Sequence, residues 1–492
     1  MDVSMDDISG GGRGSGQPYS ACMGLIYVFN LIVGTGALTL PAVFERAGWA
    51  LGLCLISVLA IISYITVTFV IEAMASANAI VQWKLLQEMK YTVQTESSSE
   101  DSTEDQPLVS HDTVQKLPSQ SSHCYVIQQK IEMGQMASLF FNRTGQSLFF
   151  LCIVVYLYGD LSIYAAAVSK SLMEVACTYN TSSNLTLTDT DICWENVDLT
   201  RIGAYRIFLG VFLATLGPFT FFDVQKTKYL QMISSILRQL AFGIMIITAI
   251  RDLIVDGTKG HPQTADITGV PELFGACVYS FMCHHSLPAL VSPIADKSRL
   301  FRLLALDYLL ITVFYILLAL TGVFAFAQVS DLYTLDFSQH WLGKEAFLIP
   351  RYFLALFPVF TLSTTFPIVA ITLRNNLRSL FLTEGHHYQW CLGKVLLPLL
   401  AVIPPILVAM ATKNLKILVG VTGSYAGTGI QYLIPAFLVF NARKRTLKVI
   451  GQGVKNDFES PFRGKGWVIF VVVWAVACII LVSVNFIKNY FI

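Results

Sequence analysis

Residues 30–41 read NLIVGTGALTLP, and they interrupt an apolar segment that is otherwise long enough to cross a membrane as one helix. Gly34 and Gly36 flank Thr35, and Pro41 closes the stretch. A glycine in a helix interior costs roughly 1 kcal/mol relative to alanine, so two glycines one residue apart favour local unwinding. The pattern predicts a membrane-spanning helix that is broken near its midpoint.

The composition predicts that most of the chain lies in a lipid bilayer. The 492 residues are 54% hydrophobic and 13% charged, with a mean hydropathy of +0.61. Soluble globular proteins carry about 25% charged residues. A formal net charge of +1 argues against nucleic acid as a partner. Strand-like alternation is absent, and apolar runs long enough for a helical span recur, so we predict an all-α polytopic membrane protein. About eleven transmembrane helices are expected, near residues 20–42, 48–73, 146–170, 204–223, 229–250, 269–291, 302–327, 346–370, 393–411, 414–440 and 467–488.

The distribution of positive charge predicts the orientation. Lys and Arg are more frequent in the loops that are cytoplasmic if the N-terminus lies inside, as the positive-inside rule requires. The loop before the last predicted span is the richest of them, with Arg443, Lys444, Arg445, Lys448, Lys455, Arg463 and Lys465. We therefore expect a cytoplasmic N-terminus and a lumenal C-terminus. Residues 1–18, which are acidic and Gly-rich, are predicted to be a disordered cytoplasmic tail before a transmembrane domain of residues 19–492.

The loop of residues 177–203 has two features of a lumenal segment. Asn180 and Asn184 each begin an Asn-x-Ser/Thr acceptor for N-glycosylation, which takes place on the lumenal side. Cys177 and Cys193 lie at its edges and form either a disulfide in that oxidising compartment or two free thiols. Asn142 also begins an acceptor sequence, but it falls on the predicted cytoplasmic side and is expected to stay unmodified.

Residues 84–134 differ in kind from the spans around them. They are acidic, Ser-rich and nearly without aromatic residues, so they are predicted to form a disordered cytoplasmic loop. Within the loop, Glu104–Val109 resembles an acidic dileucine sorting signal, with Val where Leu or Ile is usual. Sorting adaptors are the partners that such a signal would bind, and lysosomal or endosomal membranes its expected destination, with the plasma membrane as the alternative. The other interpretation is ordinary disordered acidic sequence.

A second interruption follows in residues 278–290, VYSFMCHHSLPAL. Ser280, His284, His285 and Pro288 break an apolar frame five spans after the first interruption. Non-helical backbone at membrane depth is tolerated where it is buried in protein or lines a polar cavity. Transporters built from inverted repeats use paired interruptions of this kind to present free N–H and carbonyl groups to a ligand. The Gly34–Gly36 stretch has a second interpretation, a close helix–helix contact of the small-x-small type.

Three stretches resemble the amino acid/auxin permease superfamily. Residues 30–49, NLIVGTGALTLPAVFERAGW, are similar to its first-span signature. Residues 279–288, YSFMCHHSLP, closely resemble the sixth-span signature of its sodium-coupled neutral amino acid branch, and residues 365–375, TFPIVAITLRN, look like the eighth span of that branch. The sixth span of that branch usually carries an acidic residue after the Cys-His pair, where this chain has His285-Ser286-Leu287.

The resemblance implies ten core helices in two inverted five-helix repeats, as in the bacterial leucine transporter, plus one extra helix. It also implies secondary active transport of small, neutral amino acids with Na⁺ or H⁺. The residues that it assigns to the substrate are Val33, Gly34, Thr35, Gly36, Ser280, Phe281, Cys283 and His284. It assigns the Na⁺ ion to Asn30 and Thr365, whose neutral oxygens suit a weakly held hard cation. The alternative is that Asn30 caps the half-helix and the Thr365 hydroxyl bonds back to its own turn.

Ionisable residues inside spans are further candidates. Asp160, in the third predicted span, is costly in lipid unless it is paired or faces water. Arg238, in the fifth, is its expected partner, either in cation coupling or in a structural ion pair. His284 and His285 line the pocket, sense pH or are ordinary bundle histidines.

Two classes of function remain open. The first is a secondary active transporter, for which no cofactor beyond a co-transported Na⁺ or H⁺ is expected. The second is a non-transporting receptor that binds an amino acid and signals through its cytoplasmic loop. An enzyme is not expected, because no catalytic triad order, metal cluster or HExxH motif stands at a plausible depth.

Overall fold

The computed structural model describes residues 19–99, 125–177, 188–195, 197–221, 228–340, 347–381, 392–451 and 454–491. The α-helices are α1 (Ala21–Ile32), α2 (Thr35–Ala47), α3 (Trp49–Ser99), α4 (Met133–Phe140), α5 (Arg143–Ala176), α6 (Arg201–Leu216), α7 (Lys228–Val255), α8 (Val270–Ser280), α9 (Leu287–Val291), α10 (Leu300–Ala325), α11 (Thr334–His340), α12 (Leu348–Phe381), α13 (Leu397–Ala411), α14 (Leu415–Thr422), α15 (Ile434–Val449) and α16 (Lys465–Phe491). Short 3₁₀ turns cover Gly217–Phe221 and Ile267–Gly269, and π turns cover Leu392–Leu396, Gly423–Gly427 and Gly429–Leu433. Two antiparallel strands, β1 (Ile192–Trp194) and β2 (Val197–Thr200), form one small hairpin.

The structure confirms an all-α polytopic membrane fold. Within the described residues, eight helices are long and apolar enough to cross a membrane, or nine if the bent pair α1–α2 counts as one span. Two further helical segments occupy the places of the sixth and tenth predicted spans: α8 with α9, and residues 415–449, whose helix contains the π turns. Neither is an uninterrupted α-helix, so the predicted count of eleven is not established.

The first predicted interruption lies at residues 33–34. Helix α1 ends at Ile32, α2 begins at Thr35, and the two helix axes differ in direction by 50°. Gly34 is the N-cap of α2 and has no side chain with which to satisfy the first N–H groups of that helix. The second interruption separates α8 from α9 over residues 281–286.

The broken helices lie inside the bundle, and the intact ones surround them. Helix α2 packs on α8 and α10, and α8 packs on α14. Helix α5 packs along α12, and α3 along α15. Helix α16 lies against α15 with many apolar side chains exposed, as expected of a peripheral helix that faces lipid. The interruptions are therefore screened from lipid by protein, as unpaired backbone at membrane depth requires.

The predicted loop of residues 84–134 is shorter in the structure at both ends. Helix α3 continues past Lys84 to Ser99. Residues 125–134 lie against the bundle, where Ile127 and Ile131 are buried and the Asn78 Oδ1 atom accepts hydrogen bonds from the backbone N–H groups of Gln128 and Gln129. Residues 100–124, with the sorting-like Glu104–Val109, lie outside the described residues, as does the predicted tail 1–18.

The predicted lumenal loop contains a disulfide between Cys177 and Cys193. The bridge joins the end of α5 to β1, and the Trp194 indole donates a hydrogen bond of 2.8 Å to the Ala176 carbonyl. The glycosylation candidates Asn180 and Asn184 lie outside the described residues. Asn142 is the N-cap of α5, and its side-chain oxygen accepts a 2.9 Å hydrogen bond from the Gly145 N–H.

On the face predicted to be cytoplasmic, a buried ion pair holds the loop after α15 to the bundle. The Arg443 guanidinium donates two 2.7 Å hydrogen bonds to the Glu72 carboxylate, which is 2% exposed. The Ser460 N–H donates to the same carboxylate at 3.0 Å, and the Arg443 guanidinium also donates to the Arg463 carbonyl. Breaking such a buried pair by removing one partner typically costs about 3–5 kcal/mol. The network therefore holds the segment after α15 against α3.

On the face predicted to be lumenal, residues 326–340 form a cap. The Lys170 ammonium is ion-paired with Asp331, whose second carboxylate oxygen accepts a 2.9 Å hydrogen bond from the Leu415 N–H. The Tyr333 N–H donates to the Leu38 carbonyl at 3.1 Å, so the cap also contacts the broken first span. The carboxylate of buried Asp336 accepts from the Ser330 N–H at 3.1 Å within the cap.

Acid pH is expected to stabilise this cap through Asp336. The pKa of its carboxyl is raised to about 7, mainly by burial. Hydrogen bonds from Ser330 lower the pKa, and the neighbouring carboxylates of Glu45 and Asp331 contribute to the rise. Between roughly pH 4 and pH 7 the folded chain therefore holds a proton that the unfolded chain has released. The free energy of unfolding should fall as pH rises through that window, by at most about 4 kcal/mol from this group.

Replacing Asp336 by Asn removes the titrating group with little change of shape. We expect the melting temperature of the purified Asp336→Asn variant to decline less between mildly acid and neutral pH than that of the wild type. Asp457→Asn is the matched control, because its side chain is 63% exposed. An unchanged pH slope in Asp336→Asn would contradict the assignment.

Candidate functional site

The two interruptions meet where Gly36 contacts Ser280. A Cβ atom on Gly36 would lie 2.5 Å from the Ser280 Oγ and 2.7 Å from its Cα, so only glycine allows this approach of α2 to α8. The Ser280 hydroxyl donates to the Ala276 carbonyl of its own helix at 2.7 Å. The structure thus brings together four of the predicted substrate residues in sequence, Val33 to Gly36, with Ser280 of the second interruption.

One side chain joins both interruptions. The Tyr315 hydroxyl, from α10, lies 2.8 Å from the Ile32 carbonyl oxygen and 2.9 Å from that of Ser280. These carbonyls end α1 and α8, where the interruption leaves them without an N–H partner four residues on. The hydroxyl has one proton for two acceptors, so part of their hydrogen-bonding capacity remains free.

Free donors face the same junction. At the start of α2 the Ala37 N–H donates to the Gly34 carbonyl at 3.2 Å, whereas Thr35 and Gly36 precede this bond and the Gly34 N-cap has no side chain to bind their N–H groups. The N-terminus of a helix also carries a partial positive charge, and its C-terminus a partial negative one. The start of α2 therefore suits an anionic group and the ends of α1 and α8 a cationic one, within one small region.

The remaining predicted substrate residues divide into two groups. Phe281 is fully buried, and its ring centroid lies 5.3 Å from that of Tyr315, so it belongs to the junction. Cys283 and His284 point instead toward other helices: the Cys283 sulfur lies 3.2 Å from the Tyr308 hydroxyl. The His284 Nε2 atom lies 2.9 Å from the Thr66 hydroxyl of α3, and the residue is fully buried. These contacts match the bundle-histidine interpretation of His284.

The predicted ion pair between Asp160 and Arg238 does not form. Among the ion pairs of the described residues, none joins these two side chains. The Asp160 carboxylate instead accepts a hydrogen bond from the Tyr279 hydroxyl of α8. Tyr164, one turn further along α5, interacts with both Asp160 and Thr35, which connects the carboxylate to the start of α2. Tyrosine hydroxyls satisfy Asp160 without a counter-charge.

Arg238 has a different partner, the end of α1. Its guanidinium donates a hydrogen bond to the Asn30 carbonyl oxygen, which the interruption frees from its helical partner. The neighbouring Gln239 donates its side-chain amide to the Asn30 Oδ1 atom at 3.2 Å. Both oxygens of Asn30 are therefore bound by α7.

The two predicted Na⁺ ligands have separate partners in the structure. The Thr365 hydroxyl donates to the Thr361 carbonyl of its own helix at 3.0 Å, which is the alternative anticipated for it. Asn30 is bound by Arg238 and Gln239. The arrangement at Asn30 fits a helix end capped by protein groups better than a Na⁺ ligand, because both of its oxygens already accept hydrogen bonds.

A cavity of about 310 Å³ lies away from this junction, at the predicted lumenal end of α2. Arg46 and His261 are among the residues that line it, and Arg46 is ion-paired with Glu272 of α8. We do not assign the substrate to this cavity, because it contains neither interruption and opens at the surface.

Sequence analysis missed four polar residues of the junction: Tyr164, Gln239, Tyr279 and Tyr315. The signal in their favour is a polar atom inside an apolar span, which must find a partner there. A tyrosine gives that signal weakly, because its ring is apolar and common in spans.

Comparison with known proteins agrees with this architecture. The family model described as transmembrane amino acid transporter protein matches residues 119–484. The transmembrane protein 104 homolog of Drosophila melanogaster is 49% identical over 507 residues, which cover 96% of this chain and 98% of the fly protein. Transmembrane protein 104 of Homo sapiens is 49% identical over 490 residues, with the same coverage of each chain. The homolog of Dictyostelium discoideum is 32% identical over 521 residues, covering 98% of this chain and 99% of the amoeba protein.

The family match covers most of the chain and includes the second interruption and all helices from α4 to α15. It confirms the resemblance to this family and includes the sixth-span and eighth-span signatures, whereas the first-span signature at residues 30–49 lies before the matched residues. This protein belongs to the transmembrane amino acid transporter family.

Proposed function

We propose that the protein is a secondary active transporter of small, neutral amino acids, coupled to Na⁺ or H⁺. The observation that carries the proposal is the junction at which Gly36 meets Ser280 under the Tyr315 hydroxyl. Two broken helices with free backbone groups at one point are the arrangement that secondary transporters use to hold a substrate near the bilayer midplane.

The junction suits a zwitterion. The unpaired N–H groups at the start of α2 can bind a carboxylate, and the carbonyls of Ile32 and Ser280 can accept from an ammonium group once the single proton of Tyr315 is shared. An α-amino acid carries these two groups two bonds apart. Backbone alone can therefore recognise the part that all amino acids share.

The surroundings favour a small and neutral side chain. The Gly36–Ser280 contact and the buried ring of Phe281 leave little room at the junction. The nearby charged groups Asp160 and Arg238 are already bound by Tyr279 and by the Asn30 carbonyl. A charged side chain on the substrate would have to break one of these contacts.

Closure on both faces supports an alternating cycle. The Glu72–Arg443 pair holds the predicted cytoplasmic face, and the Lys170–Asp331 pair holds the predicted lumenal cap. A transporter must open each face in turn, so each of these networks would break in one half of the cycle.

The alternative function is an amino-acid receptor that does not transport. One observation favours it: α3 continues past Lys84, where polar and charged residues begin, to Ser99, and could carry a conformational signal away from the membrane. A screen with radiolabelled amino acids separates the two functions. Flux into proteoliposomes that contain the purified protein supports transport, and saturable binding without flux supports the receptor.

For the setting of this activity we propose a multi-pass protein of lysosomal or endosomal membranes, with the plasma membrane as the alternative. The N-terminus would be cytoplasmic and the C-terminus lumenal. The distribution of Lys and Arg supports this orientation. The disulfide between Cys177 and Cys193 supports an oxidising compartment for the loop that holds Asn180 and Asn184.

Gly36→Ala should weaken binding and flux while the protein remains folded. The added methyl group would lie 2.5 Å from the Ser280 hydroxyl, so α2 and α8 must separate and the junction changes shape. We expect the affinity for the amino acid to fall roughly tenfold or more. Gly210→Ala is the matched control, because a Cβ there meets nothing within 4 Å. Flux in Gly36→Ala equal to that of the control would refute the junction as the binding site.

At least one of Asn180 and Asn184 should carry a glycan. Peptide N-glycosidase treatment of the protein from cells is expected to increase its gel mobility, and the change should vanish when both residues become Gln. Asn142→Gln serves as the control and should leave the mobility shift intact. A glycan on Asn142 would invert the proposed orientation.

Replacing Leu108 and Val109 by Ala should move the protein from lysosomal or endosomal membranes to the cell surface. The expected cause is loss of adaptor binding at Glu104–Val109. Val114 and Leu117 replaced by Ala in the same stretch give a control of equal hydrophobic loss. Microscopy that finds both variants where the wild type resides would exclude the sorting signal.

A further inference from the structure

A fixed positive charge lies on the end of the broken first span. The Arg238 guanidinium donates to the Asn30 carbonyl, one of those that the interruption frees in the last turn of α1. Gln239, the next residue of α7, binds the amide oxygen of the same Asn30 at 3.2 Å. Two consecutive residues of one helix thus bind both oxygens of a single residue of another.

A cation is favourable at this point for a physical reason. The C-terminal end of a helix carries a partial negative charge, and its free carbonyls need donors when no water is present. A guanidinium provides both the charge and several N–H groups in a fixed plane. A bound Na⁺ ion would meet the same need with the same oxygens, so the two solutions compete for one place.

We propose that Arg238 is a resident cation that takes the place of Na⁺ at the end of α1, so that the protein binds its substrate without Na⁺. The consequence for coupling rests on the proposed transport function: Na⁺ is then not the ion that drives it. Asn30, one of the two residues expected to hold Na⁺, does not fit that ion here, because its carbonyl and amide oxygens are bound by Arg238 and Gln239.

Repulsion between Na⁺ and the positive charge of Arg238 also argues against a Na⁺ site at Asn30. A Na⁺ ion bound to both Asn30 oxygens would share the Asn30 carbonyl with the guanidinium, in protein surroundings that screen charge poorly, whereas the proposed substrate ammonium would meet the separate carbonyls of Ile32 and Ser280. Asp160, which could have offset the second positive charge, is bound to Tyr279 and is not ion-paired with Arg238. A site for Na⁺ would therefore require Arg238 to leave the Asn30 carbonyl.

The test measures Na⁺ directly on the purified protein. We expect no saturable binding of radioactive Na⁺ by the wild type, and the same melting temperature in sodium, potassium and choline chloride at equal ionic strength. Thr365→Val, which removes one of the two expected Na⁺ ligands, should melt alike in the three salts as well. Saturable Na⁺ binding by the wild type that Thr365→Val weakens would overturn the proposal.

Substitutions at Arg238 test the role of its charge. Arg238→Met keeps much of the side-chain length without the charge and should lower the melting temperature by several degrees in every salt. Arg238→Lys keeps the charge and should lose less than half as much. An Arg238→Met protein as stable as the wild type would overturn the proposal. If Arg238→Met does not fold, the Lys variant and the Na⁺ measurements on the wild type still decide the matter.

Flux measurements separate this proposal from the proposed function. Uptake into proteoliposomes that is equal in sodium and choline chloride supports both. Uptake that requires Na⁺ keeps the transport function and overturns the role of Arg238. Absence of flux for every amino acid in both salts rejects the transport function, whereas the Na⁺-binding and melting results remain a test of Arg238.

Discussion

The constraint on which this structure depends is that a backbone group inside the membrane must have a partner. Two membrane spans are interrupted, at residues 33–34 and 281–286, so backbone N–H and carbonyl groups there lose their helical partners. Side chains of neighbouring helices bind several of these groups. The Tyr315 hydroxyl lies within hydrogen-bond distance of the carbonyls that end α1 and α8. Arg238 donates to a third carbonyl, that of Asn30 on α1. The N–H groups of Thr35 and Gly36 at the start of α2 have no side-chain cap. The broken helices thus determine which side chains their neighbours must supply.

Backbone hydrogen bonds also connect the two halves of the broken first span to the two faces of the bundle. Tyr333 in the cap of residues 326–340 donates its N–H to the Leu38 carbonyl of α2, so movement of the cap also affects the helix that begins at the junction. The other end of the first span is tied down as well, because the Tyr19 N–H bonds the Pro293 carbonyl just beyond α9. Each half of the broken span is therefore held at the face that it approaches, and the interruption between the halves gives them separate freedom to move.

Sequence alone located the interruptions but not their partners. The Gly-Thr-Gly triplet and the Ser, His and Pro residues near 280–288 disturb apolar spans, and that disturbance is visible in a single sequence. Tyr315 lies in a helix that is apolar on all sides, so periodicity does not indicate which face turns inward. The boundary at Lys84 failed for another reason. Hydropathy marks where the membrane ends, whereas the KLLQEMK stretch that follows consists of good helix formers, and α3 continues through it.

The predicted ion pair between Asp160 and Arg238 was wrong because opposite charge was the only criterion that the sequence offered. Opposite charges in two spans suggest an ion pair. In the structure each charged group instead has another hydrogen-bond partner, which the sequence does not indicate. Asp160 has hydroxyl donors in Tyr279 and Tyr164, and Arg238 has a carbonyl acceptor created by the break in α1. Each group is thus bound by a neutral partner, which is why opposite charge in two spans did not predict their contacts.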